Sequence, residues 1–125
     1  MADTGRKRVL IVDDEAHVRL LLKMLVKALP CEVVGEGTNG AELMPLYKSL
    51  KPDLTLLDVN MPFKTGTDAL GELMKECPTA RVVMLTSVAD LETVKQCVVA
   101  GAKGYIRKDT PPEQIKRLVS DLLGA

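Results

Sequence analysis

The chain has a single histidine, His17, and three cysteines, Cys31, Cys77 and Cys97, scattered over 125 residues. No two cysteines have the close spacing of a zinc-ligand pair, and one histidine cannot complete the set, so no zinc site is expected. An odd number of distant cysteines also builds no disulfide framework. Free thiols in a reducing compartment are the reading. No long apolar stretch precedes Asp13, and no segment approaches the length that spans a bilayer, so a cytoplasmic location is expected. An excess of either charge is missing as well: 17 Lys and Arg balance 17 Asp and Glu. Zero formal net charge gives no global reason to bind nucleic acid or an anionic membrane. The run Arg6-Lys7-Arg8 is short and abuts an apolar segment, the pattern of a solvated strand entry. No linker or low-complexity stretch divides the chain, which is expected to form one domain.

What is present is a regular alternation. Short β-branched runs predict strands near 8–12, 32–36, 53–57, 81–85 and 103–107, and 3.6-residue periodicity predicts helices near 15–29, 40–50, 67–76, 90–100 and 111–123. The first helix is the clearest: Val18, Leu21, Leu22, Leu25, Val26 and Leu29 form one core-facing stripe. Pro30 marks its end. Pro45 should kink the second helix or delay its start. Gly101 closes the fourth helix, and Thr110-Pro111-Pro112-Glu113 opens the fifth with a cap candidate, early prolines and an acidic first turn. Near-continuous apolar strands such as Leu54–Leu57 imply burial on both faces. Five βα units with right-handed crossovers give an α/β doubly wound parallel sheet with helices on both faces.

In such a sheet the residues just past the strand ends converge on one crevice. Here they are Asp13 and Asp14, Asp58, Thr86 and Ser87, and Lys108. Each has an ordinary explanation: an aspartate can cap the first helix, and one of Asp13 and Asp14 is expected to do so. A strand-end Asp58 can form a turn, Thr86 or Ser87 can cap the fourth helix, and Lys108 can be a surface lysine. Gathered together, like charges repel unless a cation is present, and oxygen ligands with a few retained waters suit Mg²⁺. A carboxylate beside such a cation can attack phosphorus and form an aspartyl-phosphate, while a hydroxyl and an ammonium clamp the phosphoryl oxygens. Gly35-Glu36-Gly37-Thr38-Asn39-Gly40 spells the G-x-G-x-x-G of a dinucleotide site. That reading leaves Asp13, Asp14, Thr86 and Lys108 unexplained and sets Glu36 against a pyrophosphate, so a turn opening a helix is preferred.

The motifs V-D-D-E at 12–15, L-L-D-V-N-M-P at 56–62 with Gly66, L-T-S at 85–87 and Y-I-R-K at 105–108 together resemble a response-regulator receiver domain, the CheY-like family of two-component signalling. The resemblance runs from about Arg8 to Leu123 and implies a single receiver domain over 1–125, with its core at about 8–123, strand order 2-1-3-4-5 and no output domain. It implies Asp58 as phosphoacceptor. Mg²⁺ would be held by Asp14, Asp58 and the main-chain carbonyl of Asn60, with Asp13 acting through water. Thr86 and Lys108 would contact the phosphoryl oxygens, and Tyr105 would partner Thr86 in switching. Asn60 and Val88 would flank the route of the attacking water. The implied partners are a histidine kinase or histidine phosphotransfer protein and a downstream protein target that reads the fourth helix, fifth strand and fifth helix. Homodimerisation on phosphorylation is also within the family pattern. The family often has proline after the lysine; this chain has Asp109, and Lys-Asp-Thr there is similar to the branch that carries helix-turn-helix outputs.

A haloacid-dehalogenase-type phosphatase is the alternative, since it too combines a strand-end Asp, a Thr or Ser, a Lys and Mg²⁺ acids. Asn60 stands where that family's proton-donating acid is expected, the acidic pair precedes the nucleophile, and no cap domain is present. Leu20 and Met24 lie off the core stripe and are expected to be partly exposed, either as scattered surface residues or as a docking patch for a phosphodonor helix.

Overall fold

The computed structural model describes residues 6–87 and 91–124. Five parallel strands, β1 (Lys7–Val12), β2 (Cys31–Gly37), β3 (Leu54–Asp58), β4 (Val82–Thr86) and β5 (Gly104–Arg107), form one sheet in the order β2-β1-β3-β4-β5. The helices are α1 (Ala16–Lys27), α2 (Leu43–Leu50), α3 (Gly66–Glu76), α4 (Leu91–Ala100) and α5 (Pro112–Gly124). Alternating strand residues divide the interior. Leu10, Val12, Leu57, Val82 and Met84 pack with α2, α3 and α4. Val9, Ile11, Leu54, Leu56, Val83, Leu85 and Ile106 pack with α1 and α5. The doubly wound layering is as the alternation predicts. All five residues of β3 are buried, because helices cover both faces of the central strand. Among the described residues no helix is long and apolar enough to cross a membrane. Cys31, Cys77 and Cys97 are free thiols.

Local chemistry sets the element ends. Pro45 is the third residue of α2, where a helix has no use for the amide hydrogen that proline lacks. The stretch before it, Gly40–Glu42, is a 3-10 turn capped by Asn39, whose side chain accepts from the Ala41 amide. Proline thus delays the helix as expected. At the other end of α2, Lys51 adopts a left-handed conformation (φ 48°), and the Arg8 guanidinium donates to the Leu50 and Lys51 carbonyls. The cation satisfies orphaned carbonyls at the negative end of the helix dipole. Arg8 is therefore a structural clamp as well as a strand entry. Gly101 (φ 117°) ends α4.

Two cap expectations are corrected. Neither Asp13 nor Asp14 is the N-cap of α1; Glu15 is, and its side chain makes no capping bond. Asp13 Oδ1 instead accepts from the Glu15 amide at 2.8 Å, a two-residue bond formed before the helix begins. For α5, the Pro111 carbonyl accepts from Gln114 and Ile115, which puts Pro111 rather than Thr110 at the start and Pro112 in the first turn.

The three glycines of the G-x-G-x-x-G string have packing roles. A Cβ on Gly35 would lie 2.5 Å from Leu50 Cδ1, one on Gly37 3.0 Å from Leu46 Cδ1, and one on Gly40 2.2 Å from the Lys64 carbonyl oxygen. Gly35 also follows the register slip in which β1 skips Val34. The tightest approach is at Gly66, where a Cβ would stand 1.7 Å from the carbonyl oxygen of Asp58. The Gly66 amide donates to the Val59 carbonyl at 2.8 Å, so α3 begins directly against the end of β3. Gly71, on the same helix, has nothing within 4 Å of an added Cβ. Gly66→Ala should therefore lower unfolding free energy by about 3 kcal/mol, because backbone must move. Gly71→Ala should raise it by about 0.5–1 kcal/mol through helix propensity. Urea unfolding of the two variants against the parent checks both signs.

Candidate functional site

At the carboxyl ends of β1 and β3, which are neighbours in the sheet, the chain leaves apolar strand for acid. Asp13 is fully buried; its amide donates to the Gly37 carbonyl at 3.0 Å, and its own carbonyl accepts from Arg19 at 2.8 Å. Arg19 also reaches Glu36 at 3.1 Å, which ties the β1–α1 turn to β2. Asp58 is the last residue of β3 and is buried, and its Oδ1 accepts from the Asn60 amide at 3.3 Å. From the far side, the Lys108 amide donates to the Thr86 carbonyl at 2.8 Å, extending the β4–β5 ladder one step beyond Arg107. That bond delivers the lysine to the crevice. Its Nζ lies 2.9 Å from Asp13 Oδ2, 3.1 Å from Asp58 Oδ2 and 2.7 Å from Glu15 Oε1.

Four carboxylates, those of Asp13, Asp14, Glu15 and Asp58, can each offer an oxygen within 4.8 Å of the others. Thr86 is buried at the end of β4. Asn60 is exposed beside Asp58 and Tyr105 is half exposed on β5. Of the strand-end residues read from the sequence, Asp13, Asp14, Asp58 and Lys108 lie together and Thr86 joins Lys108 through the backbone, while Tyr105 stands on the strand surface. Val88 lies outside the described residues. Glu15 is the member that sequence reasoning missed. It stood in the V-D-D-E run, but only the fold shows it reaching Lys108, which is 93 positions away. Asp109, in the place of the family's proline, forms a two-pronged pair with Arg107 at 3.1 and 3.0 Å.

The electrostatics follow from burial. Asp58 is pushed up from 3.8 to about 7, first by desolvation, then by the Asp13 charge and the Asp14 side chain, with Lys108 opposing. Burial alone would pull Lys108 down, but hydrogen bonds to Glu15 and Asp13 and the charges of Asp13 and Asp58 hold it above its ordinary value. The ammonium is therefore a fixed positive charge at neutral pH. Asp13 Oδ2 and Asp58 Oδ2 are buried and accept no well-directed hydrogen bond, although Lys108 lies at ion-pair distance. Under-coordinated, buried carboxylate oxygens beside the exposed Asp14 form a hard, all-oxygen donor set of the kind that Mg²⁺ takes.

The model for the response regulator receiver domain matches residues 9–120. The chain belongs to that family. It is 41% identical over 109 residues to the chemotaxis protein CheY of Thermotoga maritima, covering 87% of this chain and 91% of the relative. Against the CheY of Halobacterium salinarum it is 36% identical over 119 residues, covering 95% and 98%. The nitrate/nitrite response regulator NarL of Escherichia coli is 37% identical over 116 residues, which is 92% of this chain but 54% of that protein. Among solved structures, the CheX-CheY-BeF3-Mg complex from Borrelia burgdorferi superposes with a TM-score of 0.89 at 28% identity, covering 96% of this chain and 92% of that one. The receiver reading is thereby established at the level of family, and the phosphatase alternative is not favoured.

A raised Asp58 pKa has a stability consequence with a definite sign. Between pH 3.8 and about 7 the folded chain holds the Asp58 proton more tightly than the unfolded chain does. This contribution is therefore favourable at low pH and is lost as pH rises through that window. Asp58→Asn removes the loss, and Lys108 keeps Asp13 and Glu15 as partners. In EDTA the variant should melt about 5 °C above the parent above pH 7, with the gap closing toward pH 4. Thermal unfolding across a buffer series measures it.

Proposed function

We propose that this receiver domain is a phosphorylation-controlled switch in which Asp58 accepts a phosphoryl group from a phosphohistidine of a histidine kinase or a histidine phosphotransfer protein. The observation that carries the reading is the buried Asp58 carboxylate, 3.1 Å from the Lys108 ammonium and flanked by acids at convergent strand ends. One Asp58 oxygen attacks phosphorus. The P–N bond to the donor imidazole breaks with its electron pair left on nitrogen, which takes up a proton. Asp14, Asp58 and the main-chain carbonyl of Asn60, with Asp13 through water, would hold Mg²⁺, which supplies charge neutralisation for the phosphoryl oxygens. Lys108 contributes its fixed positive charge to a phosphoryl oxygen, and the Thr86 hydroxyl donates to another. The phosphoryl group stays on the chain, so the role is regulatory rather than catalytic turnover.

The readout lies on the β5 side. Tyr105 pairs with Met84 and Arg107 with Thr86 across the β4–β5 ladder, so Thr86 and Tyr105 share one sheet face. Drawing Thr86 toward a phosphoryl group vacates room that the Tyr105 ring, 48% exposed, can fill. Leu118 of α5 lines a groove with Tyr105, and Val98 and Val99 of α4 are further exposed apolar side chains, together suited to a downstream protein or a second phosphorylated copy. On the opposite flank Leu20 and Met24 of α1, 57% and 62% exposed, suit the phosphodonor's docking surface.

Incubation with acetyl phosphate and Mg²⁺ should add one phosphoryl group by intact mass, and neither Asp58→Asn nor EDTA-treated protein should gain it. Undiminished labelling of Asp58→Asn would overturn the assignment. The docking surface has its own check: Leu20→Glu with Met24→Glu should slow transfer from a phosphorylated partner about tenfold or more, while labelling by acetyl phosphate stays at the parent rate.

A further inference from the structure

The closest partner of the Lys108 ammonium is not the phosphoacceptor. Glu15 Oε1 lies at 2.7 Å, nearer than Asp13 at 2.9 Å or Asp58 at 3.1 Å. An ammonium has three donors, and three carboxylates surround this one. They are not equally free to leave. Asp13 and Asp58 are buried at strand ends, whereas the Glu15 side chain is 41% exposed and makes no capping bond to α1. Only Glu15 can exchange the lysine for water at small cost.

We infer that Glu15 is a positioning residue that holds the Lys108 side chain at the mouth of the crevice in the unphosphorylated chain and must release it when Asp58 carries a phosphoryl group. The inference rests on the reading of Asp58 as phosphoacceptor and Lys108 as a phosphoryl contact. A phosphoryl group sets new, strongly charged acceptor oxygens beyond the present Asp58 carboxylate, while the directed hydrogen bond that now aims the ammonium runs to Glu15 and not to the two buried aspartates. Re-aiming the ammonium at those oxygens loosens the Glu15 bond, and the exposed glutamate can take up water in its place. Glu15 thus competes with the incoming group for the same cation. It slows the approach to the phosphorylated state without touching the reacting atoms.

A general loss of negative charge near the crevice would also ease the approach of an anionic donor, so the test needs a control. Asp109 supplies it: it lines the same cavity of about 300 Å³ as Glu15 and Lys108, but its carboxylate pairs with Arg107. The experiment measures the rate of Asp58 labelling by acetyl phosphate at saturating Mg²⁺ for the parent, Glu15→Gln, Glu15→Ala and Asp109→Asn, with Mg²⁺ affinity determined separately by calorimetry. Glu15→Ala should label about two- to fivefold faster than the parent, as expected for a partly exposed charged contact. Glu15→Gln should fall between them because it keeps a neutral hydrogen bond to Lys108, and Asp109→Asn should match the parent. Equal rates in the parent and both Glu15 variants overturn the inference, as does an equal acceleration in Asp109→Asn. So does a loss of rate in Glu15→Gln that accompanies weaker Mg²⁺ binding and is restored by more Mg²⁺, which would make Glu15 an acid of the metal site. A parent chain that takes no label on Asp58 refutes the phosphoacceptor reading itself and is distinct from all of these.

Discussion

Everything in the crevice depends on one ammonium. Four carboxylates within 4.8 Å of one another would repel strongly in a partly desolvated pocket. Lys108 lies within 3.1 Å of three of them, and its long side chain brings charge to the Asp13 and Asp58 oxygens that accept no directed hydrogen bond. The arrangement still leaves net negative charge and two buried oxygens without directed hydrogen bonds. That residue of unsatisfied charge suits the site to a divalent cation, which relieves an imbalance already present.

The fold makes this imbalance affordable by where it puts it. Strand order β2-β1-β3-β4-β5 makes β1 and β3 neighbours with connections running in opposite directions, and the crevice opens at their carboxyl ends. Below the acids β1, β3 and β4 send buried apolar side chains into both core layers, so the core's stability does not rest on the polar layer. Acid, hydroxyl and cation come from four different strand ends, and the sheet ladder holds their spacing. Lys108 is bonded through its amide to Thr86, so the cation and the hydroxyl move as neighbours.

Much of this was legible in the sequence because it follows from periodicity. The α1 stripe, the buried β3 run and the strand-end acids all follow from patterns of two and 3.6 residues. What was not legible depends on contacts between distant positions. Glu15 read as part of a helix start because its partner lies on another strand end. Arg8 read as a solvated entry, yet it closes the C-terminus of α2 some 42 positions away. Asp13 read as a candidate cap, but the chain turns two residues early and makes Glu15 the cap instead. The glycine string looked like a phosphate loop because spacing alone cannot distinguish a ligand from a neighbouring leucine. Pro45 was legible in effect, since a proline tolerates only the first turn of a helix.

The contact at Gly66 has a consequence of its own. With α3 resting on the Asp58 carbonyl, the end of β3 is stopped like a piston against a wall. The aspartate has no slack behind it, so its carboxylate stands at a fixed height in the crevice whatever binds in front. A group added to that carboxylate cannot be absorbed by retreat of the strand. Accommodation of anything bound in front falls to the side chains that face it across the crevice.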